Sequence, residues 1–253
     1  MKIFISIILV SVSFWALGQN RSKSADASRD LEKQTIFGFQ ISPIIPTSFL
    51  EKNDYNFKSD TVNYSIENLS SISYGVEIRH YFTYKFAIST GILYTKRNIT
   101  ANYKSHHTVQ ANNLTDTTFS RDLQFIAFEI PLKLSGYVRL TKEIYMSIGG
   151  GLILNFYPSN IRVDNVYMQR IGTFGWMFFQ AGFSANVGWE YRNKDIGIFY
   201  LGLGYQSRVD NMASILFFER ETIHKANYYH NITGSYFSID LKYFFPINES
   251  KHR

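Results

Sequence analysis

Histidine pairs are the first residues in this chain whose type could do chemistry. His106-His107 form one pair, and His224 with His230 forms another. Either could contribute to a metal centre, but neither has a cysteine beside it or a clear ligand spacing. They read as loop histidines in water, and no metal or cofactor is expected. A nucleophilic serine would need an activating base and a recognisable frame. No Gly-x-Ser-x-Gly and no distinctive Ser/His/Asp grouping occurs. Gly202-Leu203-Gly204 and the triplet at 149–151 fall mid-strand by pattern rather than before a helix, so they are not phosphate loops. No catalytic residue is assigned. Lys96, Arg97 and Arg208 remain as cations that could meet phosphate groups, or that are ordinary surface charges.

The elements that would position these side chains follow from composition and period. The chain has 253 residues and is 17% aromatic, with 22 Phe and 18 Tyr, a composition that favours strands. There is no cysteine, hence no disulfide frame and no cysteine for a lipid anchor. Residues 1–18 read as a secretory signal: Lys2 is the charged start, 3–17 the short apolar run, and Ala16-Leu17-Gly18 the small-x-small cleavage site. A membrane anchor is the alternative, but a spanning helix needs about 20 apolar residues. Residues 19–34 are polar and mixed in charge, a flexible lead-in. The net charge is +6 with no basic cluster, and together with export this sets nucleic acid aside.

From residue 35 the pattern has period two. It predicts eight strands, at 35–47, 71–82, 85–101, 123–140, 143–157, 176–192, 195–208 and 234–245. Connections alternate. Thr83-Tyr84, Thr141-Lys142 and Asn193-Lys194 are tight turns, whereas 48–70, 102–122, 158–175 and 209–233 are long and polar. Short turns on one side, long loops on the other, and an even number of strands of about 9–11 residues or more are the marks of a transmembrane barrel. Pro131 falls inside a strand and removes a ladder donor, so a local bulge is expected there. Pro43 and Pro46 weaken the first strand's pattern.

Each strand splits into an apolar and a polar row. Ile126, Phe128, Ile130, Leu132, Leu134 and Val138 oppose Phe125, Ala127, Glu129, Lys133, Ser135, Tyr137 and Arg139. A soluble ligand-binding barrel would place the apolar rows inside. The inverted arrangement is favoured by aromatics at the ends of the apolar rows, such as Trp189 with Tyr191 and Tyr243 with Phe245. It is also favoured by small residues and charges of both signs in the polar rows.

On these residues the chain resembles the porin-like and PorT-like outer-membrane barrels of Bacteroidota. The resemblance rests on Glu129-Ile130-Pro131-Leu132-Lys133-Leu134, the glycine-rich strand after it, Gly91-Ile92-Leu93-Tyr94 leading to Lys96-Arg97-Asn98, and Leu241-Lys242-Tyr243-Phe244-Phe245. It implies a fold more than a task. Some such barrels are linked to protein secretion.

The expectation is an all-β, eight-stranded, antiparallel up-and-down barrel at 35–246, with a tail at 247–253, in the outer membrane of a Gram-negative bacterium. Both termini and the short turns would be periplasmic and the long loops extracellular. A barrel of eight strands has an interior that side chains just fill. That interior is expected to hold Glu77, Arg79, Glu129, Lys133, Arg139, Glu190, Asp240 and Lys242 in paired networks, with Tyr137, Tyr145 and Tyr236 beside them. Lys96, Arg97 and Arg208 would sit at the long-loop rim, facing lipopolysaccharide. The expected role is a non-enzymatic, non-conducting monomer: scaffold, secretion accessory or surface-interaction protein. Its partners would be outer-membrane lipid, lipopolysaccharide, and a secretion or surface protein. A lipid-modifying enzyme and a soluble periplasmic carrier are the alternatives.

Overall fold

A computed structural model describes residues 31–47, 55–58, 62–108, 114–158, 160–163, 166–170, 179–209, 211–218, 227–232 and 234–246. The expected signal segment, most of the expected lead-in, the expected tail, His224 and residues 176–178 of the sixth expected strand lie outside them. The strands in chain order are β1 (Thr35–Pro46), β2 (Tyr55–Lys58), β3 (Val62–Thr83), β4 (Phe86–Thr108), β5 (Leu114–Arg139), β6 (Ile144–Phe156), β7 (Ile161–Val163), β8 (Val166–Arg170), β9 (Phe179–Asn193), β10 (Gly197–Arg208), β11 (Ala213–Phe218), β12 (Asn227–Ile232) and β13 (Tyr236–Phe244).

Eight of these close a ring, β1-β13-β10-β9-β6-β5-β4-β3 and back to β1, every pair antiparallel. The chain is therefore an eight-stranded up-and-down barrel. Along each strand one side chain is buried in the lumen and the next stands outside, as in β1, where Gln40, Ser42 and Ile44 are inside and Phe37, Phe39, Ile41 and Ile45 outside. Exposed apolar side chains such as Leu132 (51%), Leu203 (60%) and Phe183 (59%) form a continuous outer belt. Water would not tolerate a belt of that extent, but a bilayer solvates it.

Aromatic rows mark the edges of the belt. Tyr74, Tyr94, Phe128, Phe156 and Phe179 follow one another across β3-β4-β5-β6-β9 toward the long-loop end, with successive ring centroids 5.1–6.4 Å apart. Phe199, Tyr243, Phe245 and Phe39 do the same toward the short turns, at 5.0–5.5 Å. Aromatic rings settle at membrane–water interfaces because one part is apolar and another tolerates headgroups.

Three strands run well past the belt. β3, β4 and β5 have 22, 23 and 26 residues, so much of the expected loops at 48–70 and 102–122 is strand. The alternation persists there with its polarity reversed. In β4 the outer row passes from Ile92 and Tyr94 to Asn98, Thr100 and Asn102, while the inner row passes from Ser89 and Thr95 to Ile99, Ala101 and Tyr103. Outer polar side chains bond across the strands: Gln124 Nε2 donates to Asn98 Oδ1 (2.9 Å), Thr100 Oγ1 to Asp122 Oδ1 (2.7 Å) and Ser120 Oγ to Asn102 Oδ1 (2.6 Å). Above the aromatic row the surroundings are aqueous, so the apolar row turns inward. In β3 a register shift between Leu69 and Ile72 swaps the faces, and Asn98 binds this irregularity through Ser70 O and Ser71 Oγ.

The inward apolar row meets a second, four-stranded sheet, β12-β11-β8-β7, built from the expected loops 158–175 and 209–233. Tyr64, Ile66, Ile99, Tyr103, Leu123 and Phe125 of the extended wall pack with Val166, Met212, Ala213, Ile215 and Ile232 in one buried cluster. This cluster lies at the long-loop end of the barrel. A smaller one, Leu31, Ile36, Tyr81, Ala87, Tyr137, Tyr145, Ile198 and Phe244, lies at the short-turn end. Leu31 belongs to the expected lead-in, yet residues 31–34 are a turn tied to the barrel: Lys33 N donates to Tyr81 O (2.8 Å) and Tyr81 N to Gln34 O (2.9 Å).

Pro131 makes no bulge. It pairs with Ile153 of β6, and the β4 ladder merely skips its partners and resumes from Thr90–Leu132 to Leu93–Glu129 in unchanged register. Pro43 is treated alike: it pairs with Ile72 while the β13 ladder skips two steps, from Ile41–Leu241 to Ile44–Ser238, in unchanged register. Losing one donor costs less than shifting the faces of a whole strand.

The three short turns share one device. Thr83 Oγ1, Thr141 Oγ1 and Asn193 Oδ1 each accept from the backbone N–H groups two and three residues on. Such side chains bond the local backbone and fix the turn. After Asn193 the turn also needs Gly197 at φ +97°, which a side chain would strain. Asn193→Ala should cost about 1 kcal/mol, read as a lower urea midpoint in vesicle-refolded protein.

Candidate functional site

Among the described residues, the lumen between the two apolar clusters holds ten buried charged side chains, in three layers. Nearest the short turns, Glu190 of β9 accepts from Arg79 of β3 and from Arg192 of its own strand (Nη2, 2.9 Å; Nε, 3.0 Å). Arg79 also reaches Glu77 (3.1 Å), and Lys242 of β13 reaches Glu77 from the other side (2.5 Å). The guanidinium groups lie over aromatic faces as well: Arg79 is 4.0 Å from the Phe244 ring centroid and Arg192 is 4.1 Å from that of Tyr145. Arginine suits this place because its planar group can hold a carboxylate at its edge and stack on a ring with its face.

The middle layer holds Asp240 and Lys133. Asp240 Oδ1 accepts from Ser42 and Ser238, both at 2.8 Å. Lys133 makes no ion pair or hydrogen bond among the described residues. It lines a cavity of about 10 Å³ with Asp240, Gln40, Gln206 and Ser184. That is room for one water. Such a water can accept from the ammonium and donate to Gln40 Oε1 and Gln206 Oε1, which have no protein partner.

The third layer centres on Glu129. It accepts from Tyr236 Oη (2.8 Å), Arg208 Nη2 (3.4 Å) and Gln206 Nε2 (3.4 Å). Arg97 lies over the Tyr236 ring at 4.4 Å and donates to the carbonyl of Gly234, between β12 of the upper sheet and β13 of the barrel. Interior glycines make room for this packing. Gly188 and Gly202 face each other across β9 and β10, and a Cβ on Gly202 would stand 2.2 Å from Tyr200 Oη.

Seven of the eight expected lumen charges, Glu77, Arg79, Glu129, Lys133, Glu190, Asp240 and Lys242, are buried in these layers. Arg139 is not. It is the last residue of β5, exposed below Tyr137 and Tyr145, and its Nε donates to Thr141 O (2.7 Å). Arg97 and Arg208, expected at the rim, are buried inside instead. Both continue inward rows, Arg97 after Ser89, Leu93 and Thr95, and Arg208 after Gly204 and Gln206. Lys96, one residue away, stands on the outer wall just above Tyr94. Arg192 was missed, although it shares its face with Glu190 two residues earlier. The expected balance of four acids and four bases becomes, among the described residues, four acids and six bases. His106 and His107 fall within β4 and His230 within β12, and among the described residues no three His, Asp or Glu side chains form a metal-holding group.

No family model and no curated protein matches the sequence. Among solved structures, the outer-membrane protein OprG from Pseudomonas aeruginosa is similar at a TM-score of 0.53 and 11% identity, over 85% of this chain and 98% of that one. The outer-membrane protein AlkL, solved in lipid bilayers, aligns over 91% of this chain and 96% of its own, at 12% identity and a TM-score of 0.44. The first likeness establishes the barrel fold.

Proposed function

We propose that this chain is a non-enzymatic integral barrel of the outer membrane whose lumen does not conduct and whose working surface is its long-loop end. The support is the filling of the lumen. Three layers of charge occupy it, and an apolar cluster lies at each end. Ions crossing it would have to break buried ion pairs, which costs several kcal/mol each. The cavity beside Lys133 and Asp240, at about 10 Å³, has room for one water and no more.

In this reading the short turns and both termini face the periplasm, and the upper sheet with the extended β3-β4-β5 wall faces outward from the cell. That wall presents a polar, hydrogen-bonded surface suited to a protein or saccharide partner. Lys96, at the level where the outer row turns polar, meets a lipopolysaccharide phosphate. Arg97 and Arg208, being inside, do not. The role that goes with this reading is scaffold, secretion accessory or surface-interaction protein, acting as a monomer; the resemblance to porin-like and PorT-like barrels is consistent with it, some of those being linked to protein secretion.

Planar-bilayer recording is the test. Purified protein should give a silent bilayer. Large, stable, ohmic openings from the wild-type monomer would overturn the reading.

A further inference from the structure

On the outer wall near the short turns lies an apolar concavity of about 540 Å³. Its floor is a row of aliphatic side chains in cross-strand register, Ile41 of β1, Leu241 of β13 and Leu201 of β10. Trp189 of β9, opposite Leu201, closes one end. Along its short-turn side runs a ledge of larger rings, Phe39, Tyr243, Phe199 and Tyr191, also in register. The hollow exists because long rings stand next to shorter aliphatics on the same wall. Tyr243 is fixed by its hydroxyl, which donates to Ile196 O (3.0 Å).

We infer that this concavity is a binding site for one acyl chain of a zwitterionic phospholipid, held in place rather than exchanging with the surrounding bilayer. The inference rests on the membrane-barrel reading above. Three observations carry it. The lining side chains that face outward belong to the apolar belt, where water is absent and only hydrocarbon can fill a hollow. The volume is that of a ligand pocket rather than of a packing defect. Just beyond the ledge, at headgroup depth, the two neighbouring turns expose Lys142 beside Glu143 and Lys194 beside Asp195. These turns are joined by Arg192 N donating to Glu143 O (2.8 Å). A base and an acid in each turn complement a headgroup carrying both a phosphate and an ammonium. A second copy of the chain is a poorer occupant, because a convex barrel would meet this hollow only at its rim.

The experiment is native mass spectrometry of the protein, refolded in phosphatidylethanolamine vesicles and transferred to mild detergent. Wild type should carry one phospholipid. Leu201→Phe/Leu241→Phe fills the floor and should lower lipid occupancy about tenfold, a loss of some 1.4 kcal/mol of affinity. Leu203→Phe/Ile239→Phe makes the same change one row away and should keep the lipid. Equal occupancy in all three proteins, no adduct on wild type, or a dimer in its place would each overturn the site. Heat-modifiable gel mobility is recorded for every variant. Its loss in wild type would count against the membrane barrel itself, whereas folded protein without lipid counts against the site alone.

Discussion

Glu190→Ala should destabilise the barrel by about 3–5 kcal/mol, because it leaves buried cations without their counter-charge. Glu190 is fully buried and is the carboxylate that Arg192 contacts and one of two that Arg79 contacts. Removing it strands Arg192 wholly and Arg79 in part. The physics is asymmetric: a buried pair adds little net stability, but half a pair is costly. Glu190→Leu/Arg192→Met should therefore recover much of the loss, since Arg79 keeps Glu77. Lys133→Ala should cost less than Glu190→Ala, because Lys133 borders a water-sized cavity that it shares with Asp240 and makes no direct ion pair among the described residues. Urea titrations of vesicle-refolded protein measure all three. A double variant as unstable as Glu190→Ala, or Lys133→Ala the worst of the set, would contradict the layered pairing.

Leu132→Arg should cost about 2–4 kcal/mol, the depth-dependent penalty for a cation on the lipid face near the bilayer midplane. Leu132 lies outside, level with Thr90 and Leu152, four residues below the upper aromatic row at Phe128. Gln124→Arg, on the same outer row of β5 but above that aromatic row, should be close to neutral because its surroundings are aqueous. The two substitutions differ only in height along one strand. Their comparison in refolding titrations tests where the membrane ends, and equal costs would mean that the polarity reversal along β3-β4-β5 does not mark the interface.

That reversal shows how far the sequence could be read. Period two is a local property of a strand, set by side chains alternating across the backbone, so the ring of strands, the face of Glu77, Glu129 and Asp240, and the outward position of Leu132 were all legible from residue types. Arg97, Arg192 and Arg208 were legible in the same way, since each continues an inward row, but a charged residue near a strand end reads equally well as a rim residue. The inward Ile99, Ala101 and Tyr103 kept the period too. Their apolar row had changed sides, and without knowing where the membrane stops that change resembles the end of a strand.

Amino-acid order by itself thus determined the barrel and the polarity of its belt, because both follow from alternation along a single strand against water or lipid. It could not determine which carboxylate each cation meets, since Glu129 and Arg208 are 79 residues apart and Glu77 and Lys242 are 165 apart. Nor could it show that β7, β8, β11 and β12 form a second sheet packed against the extended wall, or that Leu31 joins the apolar cluster at the other end. Those depend on ring closure, which fixes the stagger of all eight strands at once and so decides which side chains share a layer.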